Sequence, residues 1–266
     1  MRNISNRDPY ERQPDLLDVL VVCWGVLLVL LFNNALFGSW AGNMRSALTE
    51  GLLLLLGTAY LIVRRLPITR TFRWQPIRLS LAPLMIVIAV SGAVLLDALD
   101  RLVALLIPIP GEQVTALRQE LAFSNPTTTL WVILSVVVFA PLAEESLFRG
   151  VIQQAVERLR GVTSGVMMSA LIFALIHLQY WWLIQLLVLS VLLGYMAWRW
   201  QSIIPGTLLH SANNLWSVWL INQQEQPLMS LYLWNGQVNP MITLVALLIF
   251  GGAFRICDRQ TERREQ

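Results

Sequence analysis

The chain has 266 residues, of which 56% are hydrophobic and 13% charged, against about 45–50% and about 25% in soluble domains. With a mean hydropathy of +0.60, these figures exclude an ordinary soluble domain, a disordered tail and a nucleic-acid reader. They predict an all-α polytopic membrane protein. The net charge of +3 comes from 19 basic residues, all Arg, against 16 acidic ones. His177 and His210 are the two histidines, and Cys23 and Cys257 form neither a CxxC pair nor a disulfide framework.

The first apolar run, Leu16 to Phe37, is too long for a signal-peptide core and has no small-residue cleavage pattern after it. It reads as a spanning helix, since about 20 apolar residues cross a ~30 Å hydrocarbon core. Further runs follow at 48–63, 80–107, 127–143, 162–178, 180–199, 203–221 and 238–254. Eight spans are therefore expected, in a single membrane-embedded domain covering residues 1–266. No internal repeat or low-complexity tract interrupts it.

Arginine placement bears on the topology, because short cytoplasmic loops collect basic residues. Arg2, Arg7 and Arg12 precede the first run, and Arg64, Arg65, Arg70, Arg73 and Arg78 follow the second. Arg158 and Arg160, then Arg199, then Arg255, Arg259, Arg263 and Arg264 complete one side. The other side has Arg45 and Arg118, whereas Arg101 and Arg149 belong to apolar runs or their edges. Both termini are expected in the cytoplasm. Trp40, Trp74, Trp181, Trp182, Trp198 and Trp200 lie near run ends and read as interfacial anchors, an aromatic ligand groove being the alternative. Gly161 and Gly165 form a GxxxG that predicts close helix packing, with a dimer interface as the alternative.

Ionisable groups inside a bilayer cost on the order of 3 kcal/mol or more, so each needs a partner or a task. Asp97 and Arg101 are i,i+4 neighbours that can pair on one helix face. In the stretch Ala140 to Gly150, Glu145 and Arg149 have the same spacing and can neutralise each other. Glu144 points about 100° away and has no local counter-ion. A carboxylate in a poorly solvated site is suited to act as a general base. Alternatively, both glutamates cap the cytoplasmic end of the span in contact with water. Pro141 is placed to kink the helix just upstream.

His177 follows Phe173 by one turn, and His210 precedes Asn214 by one turn. A lone membrane histidine is often a packing residue, but here both histidines lie in apolar spans. If spans four and five form a hairpin turning near Arg160 and Gly161, Glu144 and His177 each lie 16 residues from the turn. At 1.5 Å per residue both stand about 24 Å from it and can face each other. His210 is harder to bring to that level. A strong tilt, or a break near Gly194 or Pro205-Gly206, must supply the difference.

These motifs resemble those of the CPBP intramembrane proteases, the group of CAAX prenyl proteases and bacteriocin-processing and self-immunity proteins. The matching elements are EExxxR at Glu144, Glu145 and Arg149, FxxxH at Phe173 and His177, and HxxxN at His210 and Asn214. They occur in the family's order over residues 127–216, the expected catalytic core. The resemblance implies hydrolysis of a peptide bond in a membrane-associated polypeptide. It implies that Glu144 with His177 activates water and that His210 and Asn214 bind the oxyanion, while Glu145 with Arg149 holds the helix in place. No cofactor is expected. Zinc is the alternative, with Glu144, His177 and His210 as its three protein ligands, although no HExxH is present. A haem protein ligated by His177 and His210, a transporter using the Glu/His pair and a non-catalytic adaptor or immunity factor are rival readings. A bacterial plasma membrane is the expected location. Substrate identity and oligomeric state are not written in the sequence.

Overall fold

The computed structural model describes residues 12–40, 42–223 and 227–262. Arg2, Arg7, Arg263 and Arg264, counted above for topology, lie outside the described residues. All eight expected runs are helical: α1 Leu16–Phe37, α2 Gly42–Arg64, α3 Ala82–Ala104, a peripheral α4 Gly111–Leu121, α5 Pro126–Arg160, α6 Val162–Ile176, α7 Leu183–Trp200, α8 Ile204–Asn222 and α9 Pro240–Glu262. Among the described residues, six helices are long and apolar enough to cross a membrane by length and composition. α6, with 15 residues, is only about 22 Å long. α8 carries His210, Asn213, Asn214 and Asn222 and is not among the six. The chain is an all-α integral membrane protein.

Local chemistry explains the principal boundaries. Asp15 caps α1 by accepting from the amides of Leu17 and Asp18, and Asp18 reciprocates on the Asp15 amide. The turn between α5 and α6 falls at Gly161, whose φ of +84° favours a residue without Cβ. Gly161 therefore serves the turn, not the helix packing expected of a GxxxG. Gly165 does serve packing, because a Cβ there would lie 2.4 Å from Glu157 Cγ.

α5 has 35 residues, about 52 Å of helix, and its polar end from Gln153 to Arg160 extends beyond what a bilayer core requires. It stays helical through Pro141. Its ladder widens into π-helical turns at Ile133–Phe139 and Ser146–Ile152, flanking the glutamates. π-turns of this kind leave carbonyls free and are common at functional sites.

Two cores flank α5. One joins α1 and α2 to α5 and α6 through Leu61, Phe72, Leu147, Val151, Ile152 and Phe173. The other joins α3, α7, α8 and α9 through Ile88, Leu189, Leu193, Met196, Leu209 and Cys257. Between α2 and α3 the chain turns inward and seals one end of the first core. Phe72 is fully buried there, and a Cβ at Gly150 would lie 2.7 Å from Thr71 O and 2.8 Å from Phe72 Cα. Arg73 is buried in this turn and paired with Glu157. Trp74, half-buried, donates from Nε1 to Ser146 Oγ at 2.9 Å.

At the opposite end, a short helix Leu228–Tyr232 leads into an antiparallel hairpin, β1 Leu233–Trp234 and β2 Gln237–Val238. Asn235 and Gly236 both have positive φ, the geometry of a two-residue hairpin turn. The expected pair forms here: Arg101 Nε donates to both Asp97 oxygens at 3.1 and 3.0 Å, and Arg101 Nη1 donates to Gly236 O.

Candidate active site

Glu144 and Glu145 stand between the two π-turns of α5, where that helix meets α2 and α8. Their side chains meet different fates. Glu145 is fully buried, and its Oε1 lies 3.0 Å from Arg149 Nη1 and accepts from His210 Nδ1 at 3.0 Å. Arg149 is also fully buried. It donates through Nη2 to Ser190 Oγ at 2.8 Å and lies 4.6 Å over the Phe173 ring, within cation–π range. The i,i+4 pairing expected from sequence is formed, and α7 and α6 complete it.

The Glu144 side chain is 17% exposed, and its Oε2 lies 3.6 Å from His210 Nε2. No hydrogen bond reaches that oxygen, which is sealed from solvent. The sequence could not place His210, yet it stands beside both glutamates. A three-residue link after α7, with Gln201 in the left-handed region, starts α8 at Ile204. The amide of Ile203 is tied to Arg73 O at 3.0 Å, and Arg73 Nη1 in turn reaches Arg149 O. α8 therefore begins near the level of Arg149, so His210 needs only about two turns to reach the glutamates.

His177 terminates α6. Its Nδ1 is 2.7 Å from Phe173 O. A carbonyl can only accept, so Nδ1 carries a proton here, and Nε2 is the acceptor of that tautomer. The Phe173 ring touches both imidazoles, with centroids 4.6 Å from His177 and 5.9 Å from His210. No hydrogen bond or ion pair joins His177 to Glu144 among the described residues; the direct contact of Glu144 is with His210. Asn214 donates to Val136 O at 2.9 Å. Pro141, five residues beyond Val136, has no N–H with which to satisfy a carbonyl of the preceding π-turn, so the amide of Asn214 occupies a vacancy made by the proline. Among the described residues no group of three His, Cys, Asp or Glu side chains is placed to hold a metal ion.

Residues 126–216, about a third of the chain, match the family model described as Rce1-like, type II CAAX prenyl endopeptidase. The match supports the CPBP/CAAX protease family for this segment. No curated protein and no solved structure matches the chain. The family match runs from the start of α5 to the second turn beyond His210, and thus contains all three motifs. It supports a membrane endopeptidase of the CAAX-protease type acting on a membrane-associated polypeptide.

One residue at this site was missed by motif reading. Glu50, on α2, has an Oε2 sealed from solvent without a hydrogen-bond partner, as Glu144 does. It lies outside the matched segment, near the start of a run that hydropathy alone explains. The signal available was its charge: an acidic residue within an apolar run with no arginine one turn away.

Proposed function

We propose that the chain is an intramembrane endopeptidase in which Glu144, assisted by His177, activates water for attack on a peptide bond. The observation that carries the reading is the contrast between neighbours: Glu145 is neutralised by Arg149 and fixed by His210, while Glu144 keeps an unpartnered oxygen. Glu144 takes a proton from water as the hydroxide oxygen attacks the carbonyl carbon, and the C=O electron pair moves to oxygen. Collapse of the tetrahedral intermediate breaks the C–N bond, with Glu144 returning the proton to the leaving amine. Asn214 uses one amide hydrogen on Val136 O, so its second remains for the oxyanion. His210, when both ring nitrogens carry protons, donates from Nδ1 to Glu145 and from Nε2 to the same oxyanion. The Nε2 acceptor of His177 suits it to orient the water.

The reaction is proposed to need no metal. The haem alternative is less well supported, since the Phe173 ring packs against both imidazoles and His210 is engaged by carboxylates. The arginine distribution supports cytoplasmic termini, and a bacterial plasma membrane is the proposed location.

The test compares membranes from cells making the wild type or Glu144→Ala, seeking anchored peptides that lose their cleavage products. Such a peptide is then assayed with purified protein in liposomes. Glu144→Ala and His177→Ala should accumulate normally, and Glu144→Ala should lose on the order of a thousandfold or more in kcat. Cleavage retained by both variants overturns the reading, and one equivalent of zinc per chain by elemental analysis overturns its metal-free form.

A further inference from the structure

Arg73 precedes the matched segment and belongs to no motif, yet it is bonded to two helices of the site. The short helix Ile68–Thr71 ends in a pair of bonds, Arg73 N to Arg70 O at 3.1 Å and Trp74 N to Thr69 O at 2.9 Å. They put Arg73 at the position where helices usually carry glycine. Its φ is +52°, a strained conformation for a residue with a Cβ. It is buried, and its Nε is closed to solvent without a hydrogen-bond partner. Strain of this kind persists only where the surroundings over-determine a position, and it concentrates at functional sites.

Three bonds hold the residue there. Nη2 pairs with Glu157 on α5, and Nη1 donates to Arg149 O at 3.3 Å. Its own carbonyl accepts at 3.0 Å from the amide of Ile203, which caps the start of α8. Arg149 O lies in the second π-turn of α5, where the widened ladder leaves carbonyls to be satisfied from elsewhere. The first π-turn is braced in the same way, by Asn214 on Val136 O. Glu144 and Glu145 therefore stand between two braces, one from α8 and one from Arg73. Because Arg73 also pins α8 seven residues before His210, it ties both sides of the Glu145–His210 contact to one point.

We propose that Arg73 is a positioning residue, an inference that rests on the function proposed above. Its guanidinium holds the second π-turn and its carbonyl holds the start of α8, which together set the height of His210 against Glu144 and Glu145. It acts through those residues and not on the reacting atoms. Without the guanidinium, Gln154 Nε2 on Thr71 O at 2.8 Å and Ser202 Oγ on Gln75 O at 2.7 Å keep the loop docked. The consequence is a shift between helices, and a misplacement of about 1 Å at a reacting group can cost about a hundredfold.

The experiment measures kcat and KM in liposomes, per molecule of monodisperse protein, with the peptide identified through Glu144→Ala. Arg73→Gly keeps the carbonyl and relieves the strained φ, so it should accumulate. Its kcat should fall about thirtyfold, with KM within about twofold of wild type. Arg73→Lys restores the charge beside Glu157 but offers one nitrogen to two acceptors, so its kcat should lie about fivefold below wild type. Arg64→Leu is the control. It breaks the bridges from α2 to Asp15 and Asp18 at the start of α1, and kcat should stay within about twofold while the folded amount falls. Wild-type kcat in Arg73→Gly or Arg73→Lys overturns the assignment, and the lysine variant keeps the test decisive if Arg73→Gly fails to accumulate. An Arg73→Lys no faster than Arg73→Gly, or an Arg64→Leu equally slow, also overturns it. If Glu144→Ala is inactive while Arg73→Gly retains full rate, only this inference fails. If Glu144→Ala itself cleaves, the proposed function fails with it.

Discussion

Two acid–arginine pairs with the same i,i+4 spacing lie within the apolar helices, and they end differently. At the end of α3, Asp97 accepts from Arg101 through both oxygens and from Tyr232 Oη at 2.6 Å, while Arg101 also holds Gly236 O. Every partner is protein, and the result is a clamp on the β-hairpin. In α5, Glu145 is held by Arg149 and His210 through a single oxygen, and the Oε2 atoms of Glu144 and Glu145 accept no hydrogen bond, that of Glu144 having the 3.6 Å contact with His210. Spacing alone identifies both pairs. The count of unused hydrogen-bonding valences separates a structural clamp from a site prepared for another molecule.

The comparison is tested most severely at its two arginines. Arg149→Leu leaves the fully buried Glu145 without its cation, a loss typically of about 3–5 kcal/mol. The amount of monodisperse protein extracted in mild detergent should fall several-fold, with a lower unfolding temperature. Arg101→Leu leaves Asp97 its bond from Tyr232 and partial exposure, so its loss should be clearly smaller. Equal losses at the two positions would mean that neither the deeper burial of Glu145 nor the bond that Asp97 keeps from Tyr232 decides the cost.

A smaller effect is expected at Asn214, where structure and chemistry can be separated. Asn214→Ala removes the donor to Val136 O, a structural loss of about 1–3 kcal/mol. If its second hydrogen also binds the oxyanion, kcat should fall by about a hundredfold. Asn214→Asp keeps the shape but removes both donors, so it should be at least as slow. A variant that is destabilised yet cleaves at the wild-type rate confines Asn214 to bracing the π-turn.

Much of this contrast was legible in the sequence, because membrane charges are few and period-four spacing survives in any helix. The partners Asp97–Arg101 and Glu145–Arg149 and the turn at Gly161 follow from local rules. What was not legible depends on contacts distant in sequence. His210 reaches the glutamates because Ile203 is tied to Arg73 O, across 130 residues. Hydropathy records polarity alone, so it does not show that the Arg73 guanidinium and the Trp74 indole find partners in Glu157 and Ser146. Sequence alone does not show that the turn before Pro141 widens and that Asn214 donates to its Val136 carbonyl. Glu50 escaped notice because it belongs to no motif.

The smallest effect should occur at Tyr232, on the satisfied side of the comparison. Burial, followed by the neighbouring Asp97 carboxylate, pushes the Tyr232 phenol well above its ordinary range. It therefore stays protonated and donates to Asp97, while accepting from Trp216 Nε1 at 3.2 Å. Tyr232→Phe removes one hydrogen bond to a carboxylate that keeps both contacts with Arg101, which should cost about 1–2 kcal/mol. A shift of a few degrees in the unfolding temperature, with unchanged kcat, is the expected result. A large fall in kcat from this variant would show that the hairpin communicates with the glutamates, and the division between clamp and reactive site would no longer stand.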